Sequence, residues 1–189
     1  MTRRKLFAEV AEWNRRADGD EATATRDRLV TDQNGKTGEA FRMGKYPVRY
    51  NGCEAIALHN AKVLTGRPSS LSEAIEAMVA NRAIFLRGVF GVPPYRLGRV
   101  FRAEGMPAER VRFDGLLEDG VYVLSFWNRF PPFHGLHTVA AVRKEGVLCC
   151  YNWAGKTIPD EKRLATLKKR FIRAYRIGEQ APIAGKETE

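Results

Sequence analysis

The chain has 189 residues, 44% hydrophobic and 29% charged, a composition typical of one folded domain with a sizeable core. No uninterrupted apolar run approaches the roughly 18 residues that a membrane span requires. Glu9 and Glu12 interrupt the basic N-terminus where a signal peptide would be apolar, so we expect a cytoplasmic protein that does not bind membranes. The formal net charge of +10 permits nucleic acids, anionic surfaces or acidic substrates as partners. The basic residues are dispersed and zinc-finger and P-loop spacings are absent, which favours a solvated basic surface.

The three cysteines, Cys53, Cys149 and Cys150, do not form a disulfide framework. Their number is odd, and Cys149 and Cys150 are adjacent in an apolar, strand-like run. Successive strand residues point to opposite faces, so one of these two is expected to be buried and inert. Neither CxxC nor a paired Cys/His spacing occurs, so we expect no metal site.

The first 45 residues are predicted to form an N-terminal helix followed by a basic loop or arm. Residues 4–17 carry large apolar side chains at helical spacing on one predicted inward face: Leu6, Phe7, Val10 and Trp13. Residues 18–45 are poor in such side chains and contain strong turn signals at Asn34-Gly35 and Thr37-Gly38. The compact domain is therefore predicted to begin at residue 46.

That domain is predicted to span residues 46–178 and to precede a polar tail over residues 179–189. Its first half contains helical patterns, one of which opens with the capping box Ser70-Leu71-Ser72-Glu73. The patterns cover residues 53–65, a stretch from residue 71 onward, and residues 94–104 with Tyr95, Leu97, Val100 and Phe101 inward.

The second half changes to the period of strands. Short runs of branched and aromatic residues predict strands at 120–128, 136–144, 146–153 and 171–177, with a short basic helix at 160–170. The tight connection Lys144-Glu145-Gly146 predicts a hairpin. Helices followed by antiparallel strands indicate the α+β class.

The stretch RYNGCEAIALHN turns from a polar loop into a helix at Cys53. The N-terminus of a helix favours a thiolate, and its free N–H groups can bind an oxyanion. Cysteine is also among the most buried residue types, so Cys53 taken alone is better explained by packing.

A nucleophilic thiol needs a base, usually histidine, and a third group that orients the base. His137 opens one predicted strand, and Asn152 ends the strand that returns beside it. We expect the Asn152 side-chain oxygen to accept a hydrogen bond from one ring nitrogen of His137, leaving the other nitrogen for the thiol. Asn152 also fits an ordinary strand exit.

The remaining histidines and nearby aromatic residues are weaker candidates. His59 follows Cys53 on the same helix but faces another way, which indicates a packing or surface residue. His134 lies in the stiff aromatic segment 129–134, which either borders a cleft or covers the core. Trp127 and Asn128, just before it, are open to the same two interpretations.

Taken together, YNGCEAIALHNA, LHTVAAV and YNW resemble the motifs of the papain-like cysteine peptidases. They look closer still to small bacterial members, which include peptidases that remove leader peptides from bacteriocins. The resemblance covers about residues 46–155. It implies N-terminal helices packed on a C-terminal antiparallel β-sheet, and a catalytic triad of Cys53, His137 and Asn152 covered by Trp153. It also implies a peptide or protein substrate, or another amide or thioester acyl transfer, without a cofactor.

Three departures from the family pattern keep a second interpretation open. Pro47 stands where the family has a glutamine that completes the oxyanion hole, and Asn51 is either a substitute or a turn residue. Glu54 follows Cys53 directly and would oppose its thiolate. His137 lies only 84 residues after Cys53, which implies a reduced version of the fold. The alternative is a non-catalytic papain-like module whose basic surface binds an acidic protein or nucleic acid.

Overall fold

The protein is an α+β structure with helices in its first half and an antiparallel sheet in its second. This confirms the predicted class and the predicted order of helices and strands. Within the described part of the chain, no helix is long and apolar enough to cross a membrane. The predicted tail at 179–189 and the aromatic segment 129–134 with His134 lie outside the described residues. The computed structural model describes residues 1–67, 69–128, 135–153, 157–158 and 161–178.

The helices begin largely where local sequence signals predict them. In the helix that starts at Leu71, the Ser70 main-chain N–H donates to Glu73 Oε2 at 2.9 Å and the Glu73 N–H donates to Ser70 Oγ at 3.3 Å. This is the predicted capping box. The helices are α1 (Arg3–Gly19), α2 (Lys36–Ala40), α3 (Val48–Asn51), α4 (Cys53–Leu64), α5 (Leu71–Ala80), α6 (Pro94–Ala103) and α7 (Glu161–Arg170).

The strands are β1 (Arg42–Met43), β2 (Tyr46–Pro47), β3 (Ala108–Val111), β4 (Gly120–Trp127), β5 (Leu136–Lys144), β6 (Val147–Tyr151), β7 (Thr157–Ile158) and β8 (Phe171–Ile177). β1 and β2 form a two-stranded ribbon, and the others form a larger antiparallel sheet in the order β3-β8-β4-β5-β6-β7. The predicted hairpin is confirmed, since β5 and β6 pair from Ala140 opposite Tyr151 to Lys144 opposite Val147. Strand β3 was not predicted, because its residues do not alternate between buried and exposed.

Successive side chains along the strands point to opposite faces of the sheet, and both faces are buried. Val123 and Ala140 belong to the core formed with the N-terminal helices, whereas Phe126 and Val139 belong to a second core that includes Leu167 of α7. Helix α4 packs against β5 and β4 on the first face. This packing brings the N-terminus of α4 close to the beginning of β5.

The predicted boundary at residue 46 does not separate an arm from the domain. Val30, Phe41 and Met43 are buried in the same core as Ile56 of α4 and Ile75 of α5. The segment has few apolar residues, but these few are placed inward. Composition alone therefore underestimated its packing.

Buried asparagine side chains hold this apolar-poor segment in place. Asn60 on α4 binds both main-chain groups of Val30, accepting from its N–H and donating to its carbonyl at 2.9 Å each. Asn14 on α1 binds the N–H and carbonyl of Arg42 in the same way, at 2.8 Å each. Each carboxamide supplies the two hydrogen bonds that a neighbouring strand would otherwise provide.

Two predicted inward residues are exposed instead. Trp13 is 50% exposed, and the neighbouring Asn14 takes the buried position on α1. The Trp13 indole N–H donates to the Ala40 carbonyl at 2.6 Å, and the Arg42 guanidinium lies 4.4 Å from its ring centre. Tyr95 at the start of α6 is also exposed. Helical spacing did not distinguish aromatic residues at the edge of an apolar face from those in its centre.

Replacing Asn60 by alanine is expected to lower the free energy of unfolding by about 3 kcal/mol, because both main-chain groups of Val30 would remain buried without partners. Urea denaturation of the wild type and the variant measures this loss. Asn34→Ala, at an exposed position in the same segment, serves as the matched control. Equal midpoints for the two variants would contradict a structural role for the Asn60 clamp.

Candidate active site

A cavity of about 540 Å³ lies where the N-terminus of α4 meets the beginning of β5 and the end of β6. Its lining includes all three predicted triad residues, Cys53, His137 and Asn152, together with Trp153. Gln33 from the N-terminal segment also lines it. Packing of α4 on β5, combined with the β5–β6 hairpin, brings together residues that are distant in the sequence.

Cys53 is the first residue of the 12-residue helix α4, and its side chain is 5% exposed. Burial raises the pKa of the thiol well above its usual 9.0, and the adjacent Glu54 carboxylate raises it further. A hydrogen bond from the Thr138 main chain acts in the opposite direction. The resting thiol is therefore protonated at neutral pH.

His137 is oriented by two neighbours. Its ring packs edge-to-face on Phe126 of β4, with ring centres 5.8 Å apart. Its Nε2 donates to the main-chain carbonyl of Asn152 at 2.8 Å. A carbonyl can only accept, so the neutral ring carries its proton on Nε2 and its lone pair on Nδ1. Burial lowers the pKa of His137 below 6.5, so the ring is a neutral base at pH 7.

The expected hydrogen bond from His137 to the Asn152 side chain is not the one observed. Asn152 adopts a left-handed conformation, with φ of 68°, and its main-chain carbonyl binds the ring. Its carboxamide instead binds Gln33, accepting from the main-chain N–H at 2.8 Å and donating to Oε1 at 3.1 Å. Asparagine tolerates this backbone conformation better than most residues, which explains why its carbonyl can turn toward the ring.

Trp153 and Asn51 occupy different environments. Trp153 is half-buried and packs on Phe126, with ring centres 4.7 Å apart, and Phe126 in turn packs on the His137 ring. Asn51 is buried and is not among the residues that line the cavity. Within the described residues neither atom of its carboxamide has a hydrogen-bond partner.

Glu54 is almost fully enclosed beside the thiol, at 3% exposure. Burial raises the pKa of its carboxyl from 4.5 to about 7, and a hydrogen bond from the Val92 main chain opposes this rise. Gly91 closes over the carboxyl: a Cβ there would lie 3.0 Å from Glu54 Oε2 and 2.9 Å from the Asn51 carbonyl. The φ of Gly91, 66°, also favours glycine.

The other thiols and His59 lie outside this cavity. Cys150 is buried and burial raises its pKa to about 12, whereas Cys149 is half-buried, as the strand alternation predicts. His59 is fully buried, and its Nε2 bonds the Arg28 carbonyl at 2.7 Å, which confirms a packing role. Asn128 lines the cavity, whereas the adjacent Trp127 is exposed and is not part of the lining.

Gln33 was not predicted to be a site residue. It lies in the polar turn segment TDQNGK, where an amide side chain is ordinary. No motif in the segment distinguishes Gln33 from its neighbours. Only its hydrogen bonds to Asn152, a residue 119 positions away, reveal its place in the site.

No protein-family model matches the sequence, and no curated protein is significantly similar to it. The class of protein is therefore defined by its fold and by the geometry of its site. The chain is an α+β protein in which a cysteine at a helix N-terminus and a histidine on a neighbouring strand line one cavity.

Proposed function

We propose that the protein is a cysteine-dependent hydrolase or acyl-transfer enzyme of the papain-like type, with peptide amides as its first substrate class. The observation that carries the proposal is the shared cavity. Cys53, at the head of α4, and His137, on the strand against which α4 packs, both line it. A nucleophile and a base that face one cavity are the minimum that acyl transfer requires.

In the proposed reaction, the Cys53 sulfur attacks the substrate carbonyl while His137 Nδ1 takes the thiol proton. The main-chain N–H of Cys53 stabilises the resulting oxyanion. His137 then returns the proton to the leaving amine, and water hydrolyses the acyl-enzyme. The Asn152 carbonyl holds the Nε2–H and stabilises the imidazolium that forms transiently.

The resting site is neutral in this mechanism. The pKa of Cys53 is raised and that of His137 is lowered, so a thiolate–imidazolium pair is disfavoured before substrate binds. Proton transfer then accompanies attack on the carbonyl. Consistent with this, we expect slow alkylation of Cys53 by iodoacetamide at mildly acidic pH.

The experiment that tests the proposal is cleavage of a mixed peptide and peptide-thioester library, followed by mass spectrometry. Cys53→Ala is expected to reduce cleavage at least about a thousandfold, because the nucleophile is removed. Cys149→Ala, which removes a thiol outside the cavity, is the matched control and should cleave as the wild type does. Undiminished cleavage by Cys53→Ala would refute the proposal.

The second candidate is a non-catalytic papain-like module that binds an acidic protein or nucleic acid. The enclosed Glu54 favours it, because this carboxyl raises the pKa of the neighbouring thiol. The net charge of +10 supplies the attraction. Polyglutamate and a single-stranded DNA oligonucleotide are suitable probes. Tight binding that survives Cys53→Ala, without cleavage of any library member, would favour the module, and steep weakening of DNA binding by salt would identify phosphate contacts.

A further inference from the structure

We propose that Gln33 is a positioning residue of the candidate active site, which fixes the Asn152 carbonyl on His137 and ties it to the turn that precedes Cys53. Its kinetic consequence rests on the proposed function, whereas its effect on the His137 ring does not. None of the sequence motifs assigns a role to Gln33.

The first part of the inference is a clasp between two amides. Both polar atoms of the Asn152 side chain bind Gln33, one to its main-chain N–H at 2.8 Å and the other to its side-chain oxygen at 3.1 Å. Asparagine can adopt the left-handed conformation, and these two hydrogen bonds hold residue 152 in it. By holding the side chain, Gln33 fixes the direction of the Asn152 carbonyl, which in turn fixes the proton of His137 on Nε2.

The second part is an anchor at the nucleophile's side of the cavity. The Gln33 side-chain nitrogen donates to the Val48 carbonyl at 3.0 Å and to the Arg49 carbonyl at 2.9 Å. These two residues belong to α3, directly before the turn into Cys53. One side chain therefore connects the group that orients the base with the segment that carries the nucleophile.

The main chain of Gln33 is itself held by close packing. Gly38 on α2 approaches so near to the Gln33 carbonyl that a Cβ at residue 38 would overlap it. The hydrogen bonds and this contact leave Gln33 little freedom to move. Three hydrogen bonds of the Gln33 side chain, two from its amide nitrogen and one to Oε1, stay within the protein, which assigns Gln33 to positioning rather than to substrate binding.

The test compares Gln33→Met, which keeps the length of the side chain but removes its hydrogen bonds, with the wild type. Nitrogen-15 NMR of labelled histidine reads the tautomer of His137 without substrate, and cleavage of a library peptide gives kcat and KM. We expect Gln33→Met to mix the Nε2–H and Nδ1–H tautomers and to lower kcat by about tenfold to a hundredfold with KM unchanged. Lys36→Met, an exposed polar-to-methionine change on α2, should alter neither readout.

A double-mutant cycle with Asn152→Gly separates positioning from general stability. Glycine adopts the left-handed conformation without support, so Gln33→Met should cause little further loss of kcat in that background. An equal loss in both backgrounds, or an unchanged tautomer in Gln33→Met, would overturn the proposal while leaving the proposed function intact. A tautomer shift in a protein that cleaves no peptide would reject the proposed function and retain the positioning role.

Discussion

Replacing His137 by alanine is expected to slow the proposed peptide cleavage by about a thousandfold, the contribution that a positioned general base ordinarily makes. The thiol of Cys53 is protonated at rest because its pKa is raised, so attack needs a base at the moment of reaction. His137 is neutral and holds its lone pair on Nδ1 because the Asn152 carbonyl occupies Nε2. Without the ring, the acceptors that remain near the thiol are the carboxylates of Asp32, in the cavity lining, and of Glu54, beside Cys53.

The pH dependence gives this prediction a second, independent measurement. Cleavage should rise with pH as His137 loses its proton. The midpoint of this rise should lie below pH 6.5, because burial lowers the pKa of the ring. Added imidazole should restore part of the activity of His137→Ala, since the cavity of about 540 Å³ has room for it.

Labelling of Cys149 in the same samples controls for folding, because this half-buried thiol lies on β6 beside β5. Wild-type labelling of Cys149 together with lost cleavage would assign the defect to proton transfer. Full cleavage by His137→Ala without imidazole would instead show that another group acts as the base.

Replacing Glu54 by glutamine is expected to raise the free energy of unfolding above pH 7 by roughly 3 kcal/mol. The pKa of this carboxyl is about 7 in the folded protein and 4.5 in its unperturbed state. The folded protein therefore binds a proton more tightly than the unfolded chain does. The stability that this tighter proton binding gives the wild type is fully present below pH 4.5. It is lost as pH rises through 7, where the wild type must bury a charge. Glutamine remains neutral throughout.

Urea denaturation between pH 4.5 and 8 measures this difference. The free energy of unfolding of Glu54→Gln, relative to that of the wild type, should increase from pH 4.5 to about pH 7 and then level off. Glu109→Gln removes an exposed carboxylate from β3 and should show no comparable trend. Parallel stability curves for Glu54→Gln and the wild type would contradict a raised pKa for Glu54.

The same substitution also changes the neighbouring thiol. The Glu54 charge raises the pKa of Cys53, so its removal should increase the thiolate population at pH 8. Iodoacetamide should then alkylate Cys53 roughly tenfold faster, the effect that removing one like charge at close range ordinarily has. The rate at Cys149 provides the internal reference. An unchanged rate at Cys53 would mean that its burial alone controls its reactivity.

Local sequence signals were sufficient for most of the secondary structure. The capping box at Ser70 fixes the start of α5, and the glycine-bounded run 136–144 predicts β5 to the residue. These features depend on hydrogen bonds and side-chain directions within a few residues, so they can be read without the fold. By contrast, β3 depends on pairing with the distant β8, and its own residues carry no alternating pattern.

The sequence by itself determined which residues could meet in the site, because a cysteine opening a helix and a histidine opening a strand have recognisable local contexts. Only the tertiary structure decided which atoms meet. The left-handed turn at Asn152 directs its carbonyl, rather than its amide, to His137. The amide is held by Gln33, which reaches the site because buried asparagines fix an apolar-poor segment to the core. The raised pKa of Glu54 likewise comes from burial, which depends on residues such as Gly91 that are far from it in sequence.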